Sequence, residues 1–148
     1  MGPACLSFAR ALDDRLKHLR EIPLFDELDD QGLERVAAIA TETEFPAGSV
    51  LIERGHPGLG MFVILDGTLR ADVRDRDADL GPGEFVGELS LLVDDIPRTV
   101  RVRAETPVRV LAITRADFHA LLESQPRIAM AMLRVVATRL AQMLDLPR

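Results

Sequence analysis

The residues with the most chemistry to offer lie between Val86 and Val100. Gly87 precedes Glu88-Leu89-Ser90-Leu91-Leu92, and Pro97-Arg98-Thr99 follows, with Arg98 eleven residues after Gly87. An ionised Glu88 only accepts hydrogen bonds, which suits a sugar hydroxyl. Arg98 offers a planar fork that matches two phosphate oxygens. The run from Glu88 to Leu92 can form one short turn of helix, and the first N–H groups of such a turn have no intrahelical partners and suit a phosphate. Gly87 allows close approach of the backbone or a positive φ. Thr99 adds a hydroxyl donor, while Leu89, Leu91 and Leu92 read as core. Together these groups could clamp a ring that is a sugar at one end and a phosphate at the other. A plainer alternative is an ordinary Glu88–Arg98 salt bridge, with Pro97 as a turn.

The elements that must position these residues are helical at both ends of the chain and β-rich between. From Ser7 to Arg20, Leu12, Leu16 and Leu19 fall at helical spacing, with Asp13, Asp14, Arg15 and Lys17 on other faces. Pro23 ends that helix, and Leu24-Phe25 forms an apolar plug beside it. A second helix is expected from Asp29 or Asp30 through Leu33, Val36 and Ala40, capped by an aspartate.

From Glu42 to Ile113 short strands alternate with Gly and Pro turns. Strands are expected at Val50–Glu53, Met61–Leu65, Thr68–Arg74, Glu84–Val86, Thr99–Ala104 and Val108–Ile113. Phe45-Pro46-Ala47-Gly48, Gly55-His56-Pro57-Gly58 and Gly81-Pro82-Gly83 are turns, and Asp66-Gly67 marks a hairpin. Asp75 to Asp79 reads as a charged, solvated connection. Many short antiparallel strands at this spacing predict a barrel or jelly roll. Thr114 then caps a helix with Asp117 three residues on. Pro126 opens the last helix, to about Leu144.

That last helix has one apolar face of Leu133, Val136, Ala137, Leu140, Met143 and Leu144, and a second stripe of Ile128, Met132 and Val135. Either the whole face packs on the β-rich part, or part of it closes over a ligand or meets a second subunit. The expected organisation is one domain: helical 1–41, a β-roll at 42–113 with the binding segment at 86–100, and helices at 114–148.

The 148 residues suffice for one core, and 47% are apolar, with no Trp or Tyr and six Phe. The net charge of −6 disfavours binding to a polyanion such as nucleic acid. A small monoanion held by one arginine and a few N–H groups is not subject to that limit. Cys5 is the only cysteine, so no intrachain disulfide can form. His18, His56 and His119 are scattered, so no metal site is expected. No apolar run reaches membrane-spanning length, and the N-terminus lacks a secretory signal, which points to a cytoplasmic protein without a membrane partner.

The run Gly87 to Leu92 with Pro97-Arg98-Thr99, between strands, resembles the phosphate-binding cassette of the cyclic-nucleotide-binding domain family. Phe45-Pro46-Ala47-Gly48, Gly55 with Gly58, Phe62-Val63-Ile64 and Gly67 resemble β-roll positions of that family, and the likeness extends from about Leu19 to Leu144. It implies an α+β, mainly β fold: an antiparallel eight-stranded β-roll or jelly roll, flanked by N-terminal helices and a C-terminal helix. By resemblance, Glu88 binds the ribose 2′-hydroxyl and Arg98 pairs with the cyclic phosphate. The Leu89 and Ser90 N–H groups and the Thr99 hydroxyl support that phosphate. The site is then Val86, Gly87, Glu88, Leu89, Ser90, Pro97, Arg98, Thr99 and Val100. The eleven-residue spacing is that of the catabolite-activator branch.

The chain departs from the family at Val100 and Arg101, where a small residue and Thr or Ser are common. Strand alternation points Val100 and Val102 to the core and Arg101 and Arg103 outward. Candidates for recognising the base are Arg134, Thr138 and Arg139, with Val73, Val86 and Met143 as apolar walls.

The expectation is a cyclic-nucleotide sensor, not an enzyme, with cAMP as first ligand and cGMP as second. Thr99 beside Arg98 could hydrogen-bond a guanine. Movement of the C-terminal helix would signal to an unidentified protein partner, and a homodimer through that helix would cover its two apolar stripes. The alternative is a structural or interaction module with a degenerate pocket, or one that holds another anion. A DNA-binding regulator is not expected, since nothing after Leu144 could form a helix-turn-helix. No nucleophile–base arrangement, metal set or P-loop suggests catalysis.

Overall fold

A computed structural model describes residues 15–53, 60–73, 76–87 and 100–144. The described residues fall into two compact units: a helical one, drawn from the chain up to Ala37 and from Leu121 onward, and a β unit, Ala38–Ala120.

In the β unit eight antiparallel strands are described: β1 (Thr41–Phe45), β2 (Val50–Ile52), β3 (Gly60–Asp66), β4 (Leu69–Val73), β5 (Arg76–Leu80), β6 (Phe85–Val86), β7 (Arg101–Ala104) and β8 (Val108–Thr114). They form two four-stranded sheets, ordered β1-β8-β3-β6 and β2-β7-β4-β5. This is the β-roll architecture expected from the resemblance. One apolar cluster joins the sheets: Ile64, Val86, Val108 and Val110 from the first, and Ile52, Leu69, Ala71, Val102 and Ala104 from the second. Phe45 and Phe62 pack against it edge to face, ring centroids 6.3 Å apart.

The two sheets differ on their other faces, and the difference is written in strand composition. β3 is nearly continuous in apolar residues, and Met61 and Val63 are as fully buried as Ile64. Their cross-strand partners Ile113, Leu111 and Phe85 are buried too, so the first sheet is covered on both faces. β4 and β7 alternate instead. Leu69, Ala71, Val102 and Ala104 turn inward, while Arg101 and Arg103 are exposed.

The charged stretch expected as a solvated connection is instead β5. It pairs with β4 through Leu69–Leu80, Arg70–Asp79, Ala71–Ala78 and Asp72–Asp77. A period of two places Ala78 and Leu80 on the side of Ala71 and Leu69, so charge at alternate positions is compatible with a strand exposed on one face. β1, with its Thr-Glu-Thr-Glu-Phe sequence, was hidden for the same reason: it is an edge strand paired only with β8.

The Asp66-Gly67 hairpin is formed, with Gly67 at φ 91. A Cβ on Gly67 would lie 2.3 Å from the Pro107 carbonyl oxygen. Both the backbone angle and the neighbouring main chain therefore require glycine here.

In the helical unit residues 15–20 are helical, and a run of turns follows through Leu28. Leu19, Ile22, Leu24, Phe25 and Leu28 are buried, Leu24-Phe25 being the anticipated plug. Helix α1 (Asp30–Ile39) starts where the Asp29 carboxylate accepts the Gly32 N–H at 2.8 Å, the expected aspartate cap. Arg20 and Asp30 form an ion pair. Helix α2 (Arg115–Ser124), whose first six residues belong to the β unit, is capped by Thr114, whose hydroxyl accepts the Asp117 N–H at 3.3 Å. Helix α3 (Pro126–Met143) has its proline in the first turn, where a missing N–H costs no helical bond.

Gly67→Ala tests the hairpin. Forcing a side chain into a positive φ costs about 1–2 kcal/mol, and the clash with the Pro107 carbonyl adds to it. Urea denaturation should show a loss of at least about 2 kcal/mol, and an unchanged midpoint would contradict the stated constraint.

Candidate nucleotide-binding site

The candidate site is bracketed by two strands in different sheets. β6 pairs with β3 at the edge of the first sheet, through Phe62–Val86 and Val63–Phe85. Gly87 follows at φ 93 and turns the chain out of the strand. The chain returns to described structure at Val100, one residue before β7, an inner strand of the second sheet. The intervening residues, Glu88, Leu89, Ser90, Pro97, Arg98 and Thr99 among them, lie outside the described residues.

The bracketing side chains serve the core. Val86 is 5% exposed and belongs to the inter-sheet cluster, and Val100 is half-buried against the same cluster. Both ends of the binding segment are thus fixed to one apolar body. Backbone at Val86, Gly87 and Val100, rather than the valine side chains, is what this arrangement can offer a ligand. Arg101 turns outward and is ion-paired with Glu53 at 3.4 Å. This matches the alternation read from sequence and keeps the unusual arginine off the core side.

Of the residues considered for a base, Arg134 is ion-paired with Glu27 at 3.8 Å, and the Thr138 hydroxyl donates to the Arg134 carbonyl at 2.8 Å. Arg127 also donates to the Glu27 carbonyl at 3.2 Å. These groups are engaged inside the helical unit. Arg139 is half-buried and has a partner of its own. The side chains of Val73 and Met143 lie outside the described set.

A shallow depression of about 270 Å³ lies elsewhere, among Gly48, Arg70, Arg103, Ala104 and Glu105. Its two guanidinium groups come from directly opposed positions on β4 and β7. Sequence reasoning gave Arg70 no role; its signal was the alternating charge of β4 and β5. Arg70 meets Asp79 at 3.2 Å, Glu105 at 2.7 Å and Asp77 at 4.0 Å. The hydrogen bond to Asp79, then the charges of Glu105 and Asp79, raise its pKa above the ordinary arginine value, so it is a permanent, already neutralised cation. Arg70 and Arg103 alternate along β4 and β7 with the inward-turned Leu69, Ala71, Val102 and Ala104, so they lie on the outer face of the second sheet. Among the described residues no group of three His, Cys, Asp or Glu converges as metal ligands, and no helix is long and apolar enough to cross a membrane.

The cyclic nucleotide-binding domain family matches residues 42–125, which include the whole of the candidate segment, and the chain belongs to that family. A cyclic nucleotide-gated potassium channel of Rhizobium etli is 35% identical over 108 residues, covering 73% of this chain and 30% of the channel. A cAMP-dependent protein kinase regulatory subunit of Aspergillus fumigatus is 36% identical over 107 residues, 70% of this chain and 26% of the subunit. The N-terminal domain of a transcriptional regulator from Streptomyces coelicolor superposes with a TM-score of 0.64 at 36% identity, covering 86% of this chain and 93% of that one. The chain therefore spans under a third of the curated relatives but nearly all of that isolated domain.

Gly87 gives the site a direct test. Gly87→Ala should cost roughly 1–2 kcal/mol in urea denaturation, because the turn out of β6 needs a positive φ. Gly81→Ala is the control: a Cβ there meets nothing within 4 Å, so its effect should stay within about 0.5 kcal/mol. Equal effects would remove the conformational argument.

Proposed function

We propose that this chain is a regulatory cyclic-nucleotide sensor, with cAMP as its first ligand and cGMP as its second. The observation that carries this reading is the anchoring of the Gly87–Val100 segment across two sheets of a cyclic-nucleotide-binding domain. On this reading Glu88 accepts from the ribose 2′-hydroxyl, and Arg98 forks onto the cyclic phosphate. The Leu89 and Ser90 N–H groups and the Thr99 hydroxyl complete the anion site. Such a site needs only local donors, so the net charge of −6 does not oppose it.

The order of ligands draws support from the Aspergillus regulatory subunit, a cAMP-dependent protein at 36% identity. The chemistry is binding and not turnover, and the setting is the cytoplasm. Output runs through movement of α3 to a protein partner. A ligand shifts such an element only by the difference between its affinities for the two states.

Arg98→Ala should weaken cAMP binding on the order of 10- to 100-fold in calorimetry, the value of charge-assisted hydrogen bonds to phosphate. Arg98→Lys should recover only part of that loss, because it restores charge without the fork. Unchanged affinity for both cAMP and cGMP in Arg98→Ala would sink the phosphate assignment. A thermal-shift panel of cAMP, cGMP and cyclic dinucleotides should give a ligand-specific rise. No rise with any of them would favour a scaffold with a degenerate pocket.

A further inference from the structure

The outer face of the second sheet carries a charge pattern that its own residues leave incomplete. Arg70 on β4 stands directly opposite Arg103 on β7. Like charges so placed repel. Arg70 is relieved by Asp79 at 3.2 Å and Glu105 at 2.7 Å. Arg103 is exposed and makes no ion pair or side-chain hydrogen bond among the described residues. Its neighbour on the other side is Val50 of β2, which is apolar and 39% exposed. Arg101, on the same face of β7, is already paired with Glu53. The Arg103 fork is therefore available to a carboxylate from elsewhere.

The ground beside Arg103 can receive a side chain. The depression of about 270 Å³ lies between the two arginines, with Gly48 and Ala104 as its small lining residues. Gly48 takes φ 90, and a Cβ there would meet nothing within 4 Å. Its N–H is spent on the Ala104 carbonyl at 2.7 Å. The depression thus offers guanidinium charge rather than free backbone donors.

One row further along this face the sign reverses. Asp72 on β4 lies opposite Asp77 on β5. Asp72 has no ion pair or side-chain hydrogen bond among the described residues, and Asp77 reaches Arg70 from 4.0 Å. Asp72 is the diagonal neighbour of Arg103, and such positions lie about 7–8 Å apart. A nucleic acid or an anionic bilayer would meet these aspartates together with Arg103, and the net charge of −6 opposes it further. A surface that brings a carboxylate to Arg103 and a cation to Asp72 and Asp77 satisfies both rows.

We infer that the outer face of the second sheet docks a protein partner through an acidic and a basic side chain, the acid on Arg103 and the base on Asp72 and Asp77. Alternate residues of an extended segment project from one face roughly 6.5 Å apart, so an acid and a base separated by one residue match the spacing. The surface is independent of nucleotide binding and of helix α3.

The probe is a random peptide library displayed on phage and panned on the full chain, after depletion on Arg103→Gln. Recovered peptides should carry Asp or Glu two positions from Lys or Arg. As synthetic peptides in calorimetry they should lose about tenfold in affinity on Arg103→Gln, lose affinity on Asp72→Asn as well, and keep it on Arg101→Gln. Arg103→Gln should melt no lower than the parent chain, because it removes a charge that repels Arg70. A melting point several degrees lower would assign Arg103 to the fold and overturn the inference. No enrichment after depletion, or enriched peptides without an acidic residue, would also defeat it. Inorganic phosphate or phosphatidylserine vesicles that bind the parent chain but not Arg103→Gln would reveal a general anion site and rule out the protein partner.

Discussion

The apolar cluster between the two sheets is the constraint on which the candidate site depends. Val86 ends a strand in one sheet, Val100 precedes a strand in the other, and both pack on that cluster. A segment tied at both ends to one close-packed body cannot shift either end without opening the core, and cores resist such changes strongly. Gly87 then supplies, at the start of the segment, a positive φ that side chains avoid. The apolar residues of six strands thereby fix where the candidate segment starts and stops.

The charged groups of the β unit serve a different end. Arg70 bridges strands β4 and β5 and the Glu105 turn, Arg101 meets Glu53, and Arg109 meets Glu42 at 3.5 Å. Exposed pairs of this kind contribute little stability each. The Arg70 and Arg101 pairs offset like charges by unlike ones on the outer face of the second sheet, and Arg109–Glu42 links β8 to β1 in the first. Guanidinium groups already neutralised in this way are poor phosphate ligands.

The helical unit is organised around Glu27 and the turns before α1. The Glu27 backbone and carboxylate meet Arg127 and Arg134 of α3, while Ile128 and Met132 are buried. One side of α3 is thus committed to its own unit, and the other presents an unbroken apolar line.

Sequence alone determined the helix–β-roll–helix order, the hairpin at Asp66-Gly67, the caps at Asp29 and Thr114, and the membership of Val102 in the core. Each of these is a local matter of period, capping chemistry or a required φ. The segment from Gly87 to Thr99 could be proposed from sequence because its residue types and spacing are contiguous in the chain, but its own side chains lie outside the described residues. Tertiary structure decided what depends on distant partners. Asp77 and Asp79 became part of a strand because β4 lay beside them, and Thr41–Phe45 an edge strand because β8 did. The apolar residues of α3 could all have been core by periodicity. Only packing showed that Ile128 and Met132 are covered while Leu133 and Leu140 are not, because hydrophobicity says that a side chain favours burial, not whether a neighbour exists to bury it.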